Sequence, residues 1–243
     1  MMYILAFETT GENASVACID EEGRIICEKS GSVRSHLQSL MPMTRSLMQK
    51  NGIGVGDISC VAASCGPGSF TGIRIGVASA RAFAQAAEIP CIPVPTLQAF
   101  VYNVPEHTGL FCPILDARRG QVYGGAFFWD EKKADIGTAV EGGAYTIGEY
   151  LESLRQTASE LRICDIMFFG DGIGKYRSEI IDRDAGLSAV FADDERRLQR
   201  ASSAAMLALK LYREGKQVHY NEFTPMYMRK AEAERKLEAI DNG

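Results

Sequence analysis

The loop from Cys65 to Gly76, with the sequence CGPGSFTGIRIG, has the glycine content of a phosphate-binding turn. It matches neither familiar phosphate motif, because no Lys-Ser or Lys-Thr pair follows its last glycine and Thr71 stands where the third glycine of a dinucleotide fingerprint would fall. Backbone N–H groups at the start of the next helix can still hold an anion, with Gly68 and Ser69 as candidate contacts. A tight turn that only packs is the alternative, and the residues alone leave both open.

The other polar residues do not form a catalytic or metal-binding pattern. A metal site on one helix face needs a second ligand one turn away, and Leu40 stands four residues after His36. Ser69 is not in the G-x-S-x-G motif of serine hydrolases. Asp116 and Asp171 each follow a strand-like segment, where a carboxylate can serve as an acid or base or can cap a turn. We therefore predict no catalytic residue and no metal site.

Small residues recur every four positions in the helix predicted over 72–87, at Gly72, Gly76, Ala80 and Ala84. One flank of this helix has almost no side chains, so another backbone can come closer than the usual axis separation of about 8–10 Å. Each glycine inside a helix costs about 0.5–1 kcal/mol, and close helix contact is the simplest compensation. The spacing leaves open whether that contact lies inside the fold or with another subunit.

The first half of the chain has the predicted element order βββαβα, then βα. Strands are predicted over 3–9, 15–20, 24–30, 58–64 and 90–94. The first helix starts at Ser35, whose spacing to Gln38 is that of a capping box, and stops at Asn51-Gly52. Pro42 lies inside this helix and should bend it. The apolar face of the helix comprises Leu37, Leu40, Met41, Thr44, Leu47 and Met48.

The second half repeats this order without repeating the sequence. Strands are predicted over 110–116, 121–129, 139–145, 163–169 and 187–192, and helices over 146–161, 175–183 and 202–214. The repeat favours two lobes, residues 1–104 with both helices described above and residues 105–243 with a charged tail. We also expect that the last helix can pack back on the first lobe.

The composition narrows the possible classes of function. With 243 residues, of which 46% are apolar and 23% charged, the chain can bury real cores and is not a disordered protein. The formal net charge of −5 disfavours strong tRNA binding by this chain alone, because proteins that grip phosphate backbones usually present a basic face. Seven scattered cysteines without a CxxC pair indicate a reducing compartment. Neither a signal peptide nor a membrane span is predicted, so we expect a cytoplasmic protein.

Several motifs, in matching order, resemble those of the bacterial TsaB family. They are AFETTGENASVA, SHLQSLMP, GPGSFTGIRIG, LDARRGQVY, GDG at 170–172 and PMYMRKAEAERKLE. The most specific is GPGSFTG followed by a small-residue helix. The resemblance implies an α/β fold of the duplicated actin-like ATPase type (RNase H-like, ASKHA) with two βββαβα lobes. It also implies a role in forming threonylcarbamoyladenosine in tRNA, next to the anticodon.

Within that machinery the resemblance implies a non-catalytic scaffold or dimerisation subunit. Such a subunit would bind and support the catalytic subunit TsaD, act together with the ATPase TsaE, and form a homodimer when alone. No cofactor is implied for this chain, since ATP and metal are expected on the partner subunit. The expected partner interface lies on the first helix and the small-residue helix: His36, Leu37, Leu40, Met41, Thr44, Leu47, Met48, Gly72, Ile73, Gly76, Val77, Ala80 and Ala84.

A stand-alone actin-like small-molecule kinase or ATPase is the alternative function. In actin-like ATPases, an acidic residue at the end of the first strand, followed by hydroxylated residues, orients metal and phosphate. Glu8, Thr9 and Thr10 occupy that place here and, with Gly68 and Ser69, are the candidate nucleotide or anion contacts. Glutamate is one methylene longer than the aspartate more common in the family. We therefore favour a structural role for Glu8 and the scaffold function over the ATPase.

Overall fold

The computed structural model describes residues 2–31, 36–130, 135–183 and 188–228. The strands of the first lobe are β1 (Tyr3–Glu8), β2 (Ala14–Asp20), β3 (Ile25–Gly31), β4 (Ile58–Gly66) and β5 (Cys91–Pro95). Its helices are α1 (His36–Lys50), α2 (Phe70–Ala87) and the short α3 (Thr96–Ala99), with 3₁₀ turns at Val55–Asp57 and Phe100–Tyr102.

The second lobe follows with the same kinds of element. Its strands are β6 (Leu110–Asp116), β7 (Gln121–Asp130), β8 (Asp135–Thr146), β9 (Asp165–Phe169) and β10 (Ser188–Phe191). Its helices are α4 (Ile147–Leu161) and α5 (Ile173–Asp182), and α6 (Ala201–Arg213) comes after β10. No helix in the described ranges combines the length and the apolar character needed to cross a bilayer.

The two lobes share one topology. The first sheet has the strand order β3-β2-β1-β4-β5, and the second has the corresponding order β8-β7-β6-β9-β10. In both sheets the first three strands of the lobe pair antiparallel, and the last two run parallel to the first strand. The predicted duplicated α/β architecture with two βββαβα lobes is therefore confirmed.

The first sheet is buried on both faces, which explains why its central strands are apolar at nearly every position. Leu5 and Phe7 of β1 face the core beneath α1 and α2. Ile4 and Ala6 alternate with them and face the core beneath α6. Helix α6 thus comes from the second half of the chain and covers the remaining face of the first lobe.

Side-chain caps fix the start of two helices. The Oγ of Ser69 accepts a hydrogen bond of 3.3 Å from the N–H of Gly72 at the start of α2. Thr146 and Glu149 form a capping box at the start of α4. The capping box predicted at Ser35 lies outside the described residues.

Candidate functional site

The start of α2 packs directly against the turn that follows β1. An ideal Cβ at Gly72 would lie 2.9 Å from the carbonyl carbon of Thr9 and closer still to its oxygen, and one at Gly76 would lie 2.5 Å from the Thr9 Oγ1. The Thr9 hydroxyl donates a 2.7 Å hydrogen bond to the carbonyl oxygen of Gly72. The N–H of Ser69 donates a 2.8 Å hydrogen bond to the carbonyl of Thr10. Glycine at these helix positions therefore allows the helix and the strand end to approach backbone to backbone.

The side-chain-poor flank of α2 faces the interior of its own lobe. Its buried residues are Gly72, Ile73, Gly76, Val77, Ala80 and Ala84. The prediction that this flank receives a partner is therefore wrong. The small residues of this flank allow close contacts inside the fold, with the turn after β1 and with the sheet.

The predicted interface on α1 is also largely internal. Four of its residues are buried in the same core: Leu40, Thr44, Leu47 and Met48. They do not form the predicted partner surface, because they lie buried between α1 and its own sheet. Met41 is 39% exposed and remains accessible. The side chains of His36 and Leu37 lie outside the described part of the structure.

The opposite sides of α1 and α2 form an exposed surface, which we call the outer face. It comprises Gln38, Met41, Pro42, Arg45, Gln49 and Lys50 of α1 and Phe70, Thr71, Arg74, Ile75, Ala78, Ser79, Arg81, Ala82, Gln85 and Ala86 of α2. Ala78, Ala82 and Ala86 give α2 a second small-residue stripe with the same four-residue spacing as the buried one. Sequence reasoning missed this stripe. The polar residues next to it in the sequence could have indicated that this stripe faces solvent.

A cleft of about 830 Å³ lies between the two lobes, at the ends of their central strands. Thr10, Gly68 and Ser69, which were predicted as anion contacts, line its first-lobe wall. Asp116, Arg118 and Asp171 line the wall of the second lobe. The lining also includes Gln38, Thr71 and Ile75. The cleft therefore opens beside the outer face.

The carboxylate of Glu8 is turned away from the cleft and into the protein. It accepts hydrogen bonds of 2.6 Å from both the N–H and the hydroxyl of Thr10, and a third from the hydroxyl of Ser64 on β4. Burial raises the pKa of Glu8 above its ordinary value, although these hydrogen bonds act in the opposite direction. Glu8 and the buried Thr9 therefore do not fit the metal- and phosphate-orienting role of actin-like ATPases. Both hold the strand end in place.

The aspartates in the cleft wall support local structure. Asp171 accepts a 3.1 Å hydrogen bond from the N–H of Asp116. Asp116 in turn accepts hydrogen bonds from the N–H of Arg118 at 3.0 Å and from the ammonium of Lys175 at 3.2 Å. Burial raises the pKa of Asp171, while the N–H of Asp116 lowers it. Of the residues that the structure describes, no three His, Cys, Asp or Glu side chains are grouped so as to hold a metal ion.

Residues Arg74, Phe70 and Tyr227 form an exposed cluster, the clasp, where the returning chain meets α2. The N–H of Met226 donates a 2.7 Å hydrogen bond to the carbonyl of Cys65. The Tyr227 ring lies 5.1 Å from that of Phe70, and the Arg74 guanidinium lies 3.9 Å from the Phe70 ring centre. The Nε of Arg74 also donates a 2.9 Å hydrogen bond to the Tyr227 hydroxyl. The clasp thus fixes the orientation of an arginine on the outer face.

The chain is similar in sequence to proteins named for threonylcarbamoyladenosine formation in tRNA. Residues 21–237 match the sequence model of a protein family that is described as TsaD, tRNA N6-adenosine threonylcarbamoyltransferase. The tRNA threonylcarbamoyladenosine biosynthesis protein TsaB of Escherichia coli (strain K12) is 31% identical over 239 residues, which cover 97% of this chain and 98% of that protein. The chain belongs to the TsaB family. Its match to the TsaD model shows that it also lies within the wider group that includes the transferases.

The chain is also similar to a second curated protein and to a solved structure, each along nearly its whole length. The TsaB protein of Bacillus subtilis (strain 168) is 29% identical over 235 residues, 97% of each chain. The solved structure of YeaZ from Pseudomonas aeruginosa has the same fold, with a TM-score of 0.74 at 22% identity, over 93% of this chain and all of that one. In this TsaB-family protein, the outer face is exposed, and Gly68 and Ser69 line the cleft beside it.

Proposed function

We propose that this chain is a non-catalytic scaffold subunit that binds a TsaD-family transferase through the outer face and supports its modification of tRNA. The exposed alanine stripe of α2 carries this proposal. Small side chains at Ala78 and Ala82 allow a helix of another chain to pack closely against α2. The exposed Met41 and the half-exposed Ile75 supply adaptable apolar contact beside the stripe.

A partner of related architecture suits this surface. The match of the transferase family model to residues 21–237 supports a partner that has the same two helices on the outside of its own first lobe. Two such helix pairs can pack as a pseudo-symmetric four-helix bundle. The same surface on two copies of this chain gives a homodimer when the transferase is absent.

The inward position of Glu8 supports a non-catalytic role. An acidic group that should orient metal and phosphate is instead buried and hydrogen-bonded to Thr10 and Ser64. We assign no cofactor to this chain, and we place ATP and metal on the transferase subunit. The ATPase TsaE completes the proposed machinery.

Substitution of Ala82 with leucine tests the docking surface. Added bulk at a close helix contact costs about 1–3 kcal/mol, so we expect the affinity for the transferase from the same organism to fall about tenfold, measured by isothermal titration calorimetry. The thermal stability of the isolated chain should not change, because Ala82 is exposed. Ser159→Leu, on an exposed position of α4, is the matched control. Full affinity of the Ala82→Leu variant would contradict docking at this surface.

The alternative function, a stand-alone ATPase, is favoured by one observation. The cleft wall presents the exposed side chain of Ser69 at the start of α2, with Gly68 beside it. A purified chain that hydrolyses ATP in a magnesium-dependent manner would support this alternative and overturn the scaffold proposal. We expect turnover no higher than the buffer background in a phosphate-release assay.

A further inference from the structure

The outer face has a charge pattern that differs from that of the whole chain. Helices α1 and α2 contain Arg45, Lys50, Arg74 and Arg81 and no aspartate or glutamate. The whole chain is acidic, with 31 aspartates and glutamates against 26 lysines and arginines. Helices α1 and α2 therefore carry a net positive charge within an acidic chain, and the carboxylate next to them in sequence is that of Glu88, which caps the end of α2.

These cations are available on the surface. Arg45, Lys50 and Arg74 are exposed and Arg81 is half-exposed. Across the described ranges, none of the four forms an ion pair with a carboxylate. The clasp holds Arg74 through the ring of Phe70 and the hydroxyl of Tyr227. Because both partners are uncharged, the clasp orients this guanidinium without neutralising it.

We propose that the outer face selects an acidic surface on the transferase, and that its charge favours this heterocomplex over the homodimer. The inference rests on the proposed function, because it needs the outer face to be the docking surface. In a homodimer built on this face, cations approach cations, and neither α1 nor α2 supplies a carboxylate to balance them. A related chain that carries aspartate or glutamate on the opposing helices is attracted instead.

Opposite salt dependences follow for the two complexes. Salt screens exposed charges, with a screening length of about 10 Å at 0.1 M ionic strength and about 3 Å at 1 M. Raising the NaCl concentration should therefore weaken binding of the transferase and strengthen the homodimer. A purely apolar surface would not give the two complexes opposite responses to salt.

Two identical substitutions at different places test the charge. Lys50→Gln removes a cation from the outer face, and Lys216→Gln removes an exposed cation just after α6, on the other side of the first sheet. At low salt we expect Lys50→Gln to weaken transferase binding about two- to fivefold, measured by calorimetry with the transferase of the same organism. We expect Lys216→Gln to bind like the wild type. In sedimentation equilibrium, Lys50→Gln should form a tighter homodimer, and circular dichroism should show that both variants are folded.

The outcomes separate this inference from the function on which it rests. If the wild-type chain binds the transferase at no salt concentration, both the proposed function and the charge selection fail. If it binds with the same Kd at low and high salt, or if Lys50→Gln and Lys216→Gln bind equally well, the docking stands and the charge selection is wrong. A homodimer that becomes tighter at low salt also overturns it.

Discussion

Replacing Gly72 with alanine should destabilise the first lobe, although the same substitution usually favours a helix. An ideal Cβ at this position lies 2.9 Å from the carbonyl carbon of Thr9, whereas carbon atoms in good contact are about 3.5–4.0 Å apart. The helix backbone fixes the position of this Cβ, and the atoms that it meets are backbone atoms of Thr9, so no side-chain rotation relieves the contact. Overpacking of this kind costs about 1–3 kcal/mol. Loss of the hydrogen bond from the Thr9 hydroxyl to the Gly72 carbonyl adds about 1 kcal/mol.

Helix propensity opposes this effect by about 1 kcal/mol. The expected net loss in the free energy of unfolding is therefore about 1–3 kcal/mol. Urea titration followed by far-UV circular dichroism measures it. Gly174→Ala near the start of α5 is the matched control, since its Cβ meets no atom within 4 Å, and it should gain up to about 1 kcal/mol. A Gly72→Ala variant as stable as the wild type would refute the close packing of α2 on the Thr9 turn.

Three other predictions concern buried groups and the clasp. The pKa of Glu8 in the folded chain lies above the ordinary 4.5, so wild-type stability should fall as the pH rises from that value through the folded-state pKa. Urea titrations of Glu8→Gln over the same pH range should not show this loss. Ala80→Leu should destabilise the lobe by about 1–3 kcal/mol in thermal unfolding, unlike Ala82→Leu, because Ala80 faces the core. Tyr227→Phe removes the hydroxyl that orients Arg74; calorimetry should show transferase binding weakened about twofold or more, with stability changed by less than about 0.5 kcal/mol.

Much of the fold could be predicted from local patterns. The strand predicted over 110–116 coincides with β6, Leu110–Asp116, because an apolar run and turn residues mark both of its ends. Strand β8 starts earlier than predicted, at Asp135, because the residues before the predicted strand pair with the end of β7, as Ile136 does with Trp129. Pairing of this kind depends on the neighbouring strand and is not visible in local propensity.

The orientation of the site residues could not be predicted in the same way. The stripe through Gly76 and the stripe through Ala82 have equal spacing on one helix, so spacing alone does not say which one is buried. Packing on Thr9, far away in the sequence, decides it. Likewise, Glu8 turns inward because Ser64, 56 residues later, donates a hydrogen bond to it. Such contacts form only after the strands have been brought together.

The cover that α6 provides for the first sheet has a consequence for biogenesis. During translation, a nascent chain that ends before Ala201 leaves Ile4, Ala6 and Ile19 without the apolar layer that buries them in the finished molecule. Phe223, which is fully buried in the other core of that lobe, arrives later still. The lobe that bears α1 and α2 is therefore fully packed only after residues up to Phe223 have been synthesised. Until then, the sheet beneath these two helices has one face without its apolar cover.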